Sequence, residues 1–148
     1  MPYSDYQRTL RETARLAVQI SDIDMLQDAI DAGIAGLTGW HDILRRAATS
    51  NLDIVKLLLA NGVPPRYTRL DKQMTALLAA CQQLGTMELL FFDDETQADR
   101  IAELYQIIDV LAAFYTDAEL KFLVLDTPET YRYGLLYALK QRVTNESA

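Results

Sequence analysis

The chain carries little that could do covalent or metal chemistry. Its 148 residues hold one histidine, His41, and one cysteine, Cys81. A nucleophilic site needs a Ser or Cys, a base and an orienting group brought together; a Cys81–His41 pair is the one Cys–His version available. One His and one Cys cannot supply the four ligands of a structural zinc site. No Gly-rich segment precedes Lys-Ser or Lys-Thr, so no phosphate loop is present. The acidic run Asp93-Asp94-Glu95, with Asp99 and Glu103, is the best cation candidate. It lacks the Asp-x-Asp-x-Asp-Gly spacing of a calcium loop. Two other readings stand beside it: a solvated helix start with Thr96 as the cap, or a contact for a basic partner. The expectation is a chain without catalytic residues, metal or cofactor.

The elements that would position these residues are helices. Half of the residues are hydrophobic, while Pro (four) and Gly (six) are scarce. That composition disfavours a turn-rich β-sandwich and disorder alike. In Asp53-Ile54-Val55-Lys56-Leu57-Leu58-Leu59 the apolar residues recur at i, i+3 and i+4. No alternating β-branched stretch is long enough for a strand. Short helices separated by Gly, Pro, Asn or Asp account for most of the chain. Thr127-Pro128 marks a late helix start, a capping residue followed by Pro.

The opening MPYSDYQRTLRET has no apolar stretch and carries Asp5, Arg8, Arg11 and Glu12, unlike a secretory signal. The apolar runs 57–60 and 122–125 fall far below the roughly 20 residues that span a bilayer. With a single cysteine no internal disulfide forms, and a reducing cytoplasm with no membrane contact is expected.

Net charge is −7. Residues 1–74 balance nine Lys/Arg against nine Asp/Glu, whereas residues 75–148 set five against twelve. The whole excess therefore lies in the second half. It repels phosphate backbones and disfavours nucleic acid. It steers basic partners, or serves solubility alone.

Residues 40–62, WHDILRRAATSNLDIVKLLLANG, then show a recurring pattern. His41-Asp42-Ile43-Leu44 stands at a helix start and Ala47 at a small position. Ser50 stands at a turn, Asp53 at an acidic position, Leu57-Leu58-Leu59 in an apolar run and Gly62 at its end. This segment resembles an ankyrin repeat. Residues 12–33 (Ala17, Val18, Ser21, Asp24, Gly33), 75–92 (Thr75-Ala76-Leu77-Leu78, Ala80, Cys81, Glu88) and 112–125 (Ala112, Ala113, Thr116, Glu119) fit more loosely. The third has one residue inserted near Leu84-Gly85. The acidic anchors Asp24, Asp53, Glu88 and Glu119 recur at about the period of roughly 33 expected of such repeats. Departures are Arg46 where the first Ala of a pair belongs, Asp109 where a core Leu belongs, a short connector after Gly33, and no clean repeat start in 93–111. A divergent helical array built from similar pairs is the competing reading.

The resemblance implies one all-α domain, residues 1–148. It would be a short ankyrin-like solenoid of stacked helix-turn-helix pairs, with approximate repeats 10–38, 39–74, 75–95 and 97–125 and a C-terminal capping helix at 127–145. It also implies protein binding through a concave face of loop tips and first helices. The matching positions are Trp40, Arg45 and Thr49, the connector residues Arg66, Tyr67, Arg69 and Lys72, and Gln82 with Gln83. Trp40 could instead fold back on the core, and the connector's charges could be mere solvation. His41 and Cys81 take a helix-start and a buried small position in this frame, which favours structural roles. The acidic run 93–103 is the alternative contact. A small acidic module of this kind resembles inhibitors that occlude a basic target, such as immunity proteins or viral proteins that block a defence enzyme. An adaptor that links proteins without inhibiting them is the alternative. Self-association through Phe91-Phe92 or Phe114-Tyr115 is open.

Overall fold

Turn chemistry sets the first two helix pairs. Helix α1 (Pro2–Gln19) ends where Ser21 adopts the left-handed conformation, with φ of 58°. The Asp22 amide donates to the Ala17 carbonyl and the Ser21 amide to that of Val18, which satisfies the last carbonyls of the helix. Asp22 then caps α2 (Ile23–Asp31) by accepting from the Met25 amide at 3.1 Å. Asn51 does the same for α4 (Leu52–Ala60) through the Ile54 amide, after α3 (His41–Ala47) and the turn at Ser50. Both second helices end on a glycine with positive φ, Gly33 at 96° and Gly62 at 94°. Gly62 is followed by the Val63 amide bonding back to the Leu58 carbonyl. The expected acids, Asp24 and Asp53, lie in the first turns of α2 and α4, where the helix dipole favours them.

The computed structural model describes residues 2–34, 41–66, 75–91 and 93–147, with side chains for 5–34, 43–66, 75–91 and 93–143. Trp40, Tyr67, Arg69 and Lys72 lie outside the described residues, as does the side chain of His41. Among the described residues there are eight α-helices and no strand. The remaining helices are α5 (Ala76–Phe91), α6 (Ala98–Ala112), α7 (Asp117–Asp126) and α8 (Glu129–Ser147), with a short 3-10 turn at Glu95–Gln97. Helices α1, α3 and α5 pack in succession as one row and α2, α4 and α6 as a second. This is an all-α, ankyrin-like stack.

The pairing changes register after α4. The segment expected to hold a third pair within 75–95 is one continuous helix, α5, with no turn at Leu84-Gly85. Its sequence has no Pro there, and a lone helical Gly costs only about 1 kcal/mol. The third pair is α5 with α6, and Glu88 lies inside α5 rather than at a helix start. Asp99 in the first turn of α6 takes the anchoring place. Helix α7 packs chiefly on α8, and α8 covers α5 as the closing helix. It begins just past Pro128, but the Thr127 hydroxyl donates back to the Leu123 carbonyl of α7 at 2.6 Å instead of capping α8.

One core runs through the stack, including Leu26, Leu44, Ile54, Leu58, Leu77, Leu84, Ile107, Leu111, Leu120 and Leu135. The small residues between rows, Ala14, Ala17, Ala47, Ala48 and Ala80, are fully buried. The buried Ala pair of the second repeat is Ala47-Ala48, so Arg46 points outward and the misfit noted at that position disappears. Asp109 is exposed and accepts from the Tyr137 hydroxyl at 3.0 Å, which explains an acid where a core Leu was expected.

Helices α5 and α8 cross closely at two glycines. A Cβ on Gly85 would stand 2.1 Å from the Thr130 carbonyl oxygen, and one on Gly134 would stand 2.7 Å from the Cys81 sulfur and 2.8 Å from Ile108. Ala is the better helix former by about 0.5–1 kcal/mol, but forcing an atom into packed backbone costs about 1–3 kcal/mol or more. Overpacking wins. Gly85→Ala is expected to lower unfolding stability by about 1–2 kcal/mol, read as a lower urea midpoint; an unchanged or higher midpoint would contradict the close crossing.

Candidate functional site

The corner between α6 and α7 gathers two of the chain's arginines. Thr116 caps α7 by accepting from the Glu119 amide, and the Thr116 amide donates to a Glu119 carboxylate oxygen at 2.8 Å, forming a capping box. Arg66 reaches the same carboxylate with both terminal nitrogens, contacts the Phe114 carbonyl oxygen, and stands 4.4 Å from the centroid of the buried Tyr115 ring. Arg142 of α8 donates to Asp117 at 2.7 Å and to the Ala112 carbonyl. The two guanidiniums thus satisfy carbonyls at the end of α6 and pair with acids at the start of α7. Glu119 titrates at about 2, held down first by the Thr116 amide and then by Arg66.

Arg66 is therefore an anchor for the segment after α4, although the ankyrin resemblance assigns it to the binding face. The long-range pairing of residues 66 and 119 has no local signal. Arg142 has none either.

The other positions assigned to the concave face separate into two groups. Thr49 and Gln83 come together with Ser50, Arg100 and Glu103 around a small cleft of about 10 Å³, room for about one water. Arg45 is half-buried near the end of α3, and Gln82 is exposed on α5. The Thr49 hydroxyl bonds the Arg46 carbonyl at 2.8 Å and so serves the local turn.

The acidic run also divides. Glu103 accepts from the Leu52 amide at 2.9 Å and caps α4 from α6, an internal role. Asp94 caps the 3-10 turn, accepting from the Thr96 amide at 2.9 Å and from its hydroxyl at 2.6 Å. Asp94, not Thr96, is the cap. Asp93, Glu95 and Asp99 are exposed. Glu88, Asp93, Asp94 and Glu95 rim an open cleft of about 510 Å³ whose floor includes Ile101 and Tyr105. The Tyr105 hydroxyl donates to Glu88 at 3.0 Å, and burial, with Glu88 next, raises its pKa. Among the described residues no three His, Cys, Asp or Glu converge as metal ligands.

A second cleft, of about 600 Å³, lies between α5 and α8 and is lined by Gly85, Glu88, Leu89, Glu129, Thr130 and Tyr133. Leu89 and Tyr133 are 76% and 58% exposed. Sequence reading missed this groove; the one available cue was Leu89-Leu90 standing just before the acidic run. Cys81 is fully buried and its thiol is pushed up to about 12 by that burial, as befits a thiol packed in the core. Among the described residues no helix is long and apolar enough to cross a membrane.

The chain is similar to ankyrin repeat-containing proteins. It is 28% identical over 124 residues to the ankyrin repeat, SAM and basic leucine zipper domain-containing protein 1 of Atelerix albiventris, covering 81% of this chain and 23% of that protein. The protein of the same name from Mustela putorius furo is 33% identical over 81 residues, 52% of this chain and 17% of its own length. The chain thus spans about a fifth of the length of these curated relatives. No family model matches the chain. No solved structure matches it significantly.

The α6–α7 corner makes an acid-sensitive prediction. Because the folded pKa of Glu119 lies below its ordinary 4.5, its contribution is complete above that value and fades as pH falls towards about 2. Glu119→Gln is expected to flatten the stability-against-pH curve between those values, measured by denaturant midpoints. Arg66→Ala should raise the Glu119 pKa only part of the way, because the Thr116 amide remains. An unshifted carboxyl resonance titration in Arg66→Ala would refute the pairing.

Proposed function

We propose that this chain is a non-catalytic protein-binding module, and that it acts as an inhibitor by occluding a basic protein partner through the exposed acids near the start of α6. The observation that carries the reading is the open cleft rimmed by Glu88, Asp93, Asp94 and Glu95 on a stack of ankyrin-like helix pairs. Similarity to proteins named for their ankyrin repeats supports the binding role. Repeat stacks expose extended surfaces suited to macromolecular contact. Of the positions assigned to the concave face, Arg66 is already engaged with Glu119 and Thr49 with its own turn, which favours the acidic edge as the contact. The charge excess of residues 75–148 steers a cationic partner towards that edge.

The test compares wild type with Asp93→Lys/Glu95→Lys/Asp99→Lys as bait, followed by affinity measurement on the recovered partner. The triple variant should bind on the order of tenfold more weakly or worse, with a reduced dependence on salt. An inhibitor lowers the partner's activity in step with occupancy; a partner bound with undiminished activity marks an adaptor instead. Equal binding by the triple variant, with loss in Arg45→Glu, would move the contact to the Thr49–Gln83 edge and defeat the reading.

A further inference from the structure

We propose that the groove between α5 and α8, which shares Glu88 with the acidic cleft beside α6, docks a single basic amphipathic segment of a protein partner. The inference rests on the protein-binding reading above and adds the chemistry of what is bound.

Two clefts of comparable size, about 600 and 510 Å³, share Glu88 as a common wall. The first presents Leu89 and Tyr133, both more than half exposed, between Glu88 and Glu129. The second has Ile101 and Tyr105 beneath Asp93, Asp94 and Glu95. Among the described residues lining either cleft, five are acidic and none is Lys or Arg. Glu88 is held in place by the Tyr105 hydroxyl, so the shared wall is set by the fold. Isolated exposed apolar side chains need no explanation. Here they line one groove, and their flanks carry one sign of charge.

That combination selects the occupant. Apolar side chains would cover Leu89 and Tyr133, while Lys or Arg on the segment's flanks would meet Glu129 and the acids past Glu88. A second copy of this chain fits poorly, since an isologous contact would set the same carboxylates against themselves. The anionic surface of a membrane leaflet is likewise repelled by them.

The test uses a synthetic amphipathic Leu/Lys helical peptide, a scrambled peptide of the same composition, and a Leu/Glu counterpart, titrated into the full chain by calorimetry. The proteins are wild type, Leu89→Ser/Tyr133→Ser and Glu129→Lys; all three sites are exposed, and thermal melts verify that each variant is folded. Each variant should bind the Leu/Lys peptide at least about tenfold more weakly than wild type. The scrambled peptide should lose a comparable factor, and the Leu/Glu peptide should not bind. Equal binding of the scrambled peptide would reduce the effect to unselective charge attraction and overturn the proposal, as would wild-type affinity in both variants. A wild-type dimer in sedimentation that Leu89→Ser/Tyr133→Ser dissociates would give the groove to a second copy. If the recovered partner is lost by the Asp93/Glu95/Asp99 variant but bound normally by Leu89→Ser/Tyr133→Ser, the binding function stands and the groove assignment falls.

Discussion

The second half of the chain depends on how closely α5 and α8 approach. Gly85 lets the Thr130 carbonyl come within a distance that no Cβ would tolerate, and Gly134 leaves room for the Cys81 sulfur and Ile108. Cys81 is fully buried in that crossing. Once α8 is held there, Leu135 and Ala138 enter the core, and Tyr137 packs edge-on against Tyr105 with ring centroids 4.6 Å apart. The hydroxyls of both tyrosines end on carboxylates, Glu88 and Asp109, so the pair ties α5, α6 and α8 together. A third helix pair of this length needs such a cover, because its apolar face has no following unit of the same kind to bury it.

Placing α8 over α5 leaves α7 to be located by other means. Few of its side chains are fully buried, and Phe122 and Leu125 remain exposed. Polar contacts at its ends compensate. Arg66 and Arg142 converge on the corner before it, and Arg132 donates to the Val124 carbonyl near its end. Surface ion pairs taken singly are worth about 0–1 kcal/mol. Their value here is directional: bidentate guanidinium geometry sets the angle at which α7 leaves α6. This also explains why a basic residue in the connector after α4 is no free binding determinant.

Local rules carried the sequence reading as far as α4 and then lost the register. The turn at Ser50, the acids Asp24 and Asp53 and the terminal glycines Gly33 and Gly62 are all short-range features, and each occupies the place the pattern assigns. The third unit was misaligned because Glu88 kept nearly the right spacing while lying inside α5, a first helix; Thr116 and Glu119 do stand at a turn and in the first turn of the next helix, α7. Gly85 looked like an inserted turn residue; its role is to admit another helix from 45 positions further along, at Thr130, and no local pattern encodes that. The same limit applied to the site. The acidic run was visible as composition, but which acids serve the fold was not. Glu103 caps a helix 51 residues away in sequence, and Asp94 caps its own turn, so the run divides into structural and surface members only in three dimensions.

That division bears on how an acidic edge can bind at all. Charges separated by more than about 8 Å are largely screened at physiological salt, and exposed carboxylates each contribute little once paired. The acids of residues 75–148 can therefore raise encounter rates and reject acidic competitors more readily than they can hold a complex together. Lasting affinity comes from a few well-packed, desolvated anchors more than from area or exposed charge, and the acidic cleft alone offers only Ile101 and Tyr105 as large apolar contacts. In the proposed docking the neighbouring groove adds apolar contacts, since the cleft lined by Leu89 and Tyr133 shares Glu88 with the one lined by Ile101 and Tyr105. The close α5–α8 crossing creates that groove at the point where Gly85 meets Thr130, so the contact that stabilises the fold also shapes the apolar half of the surface.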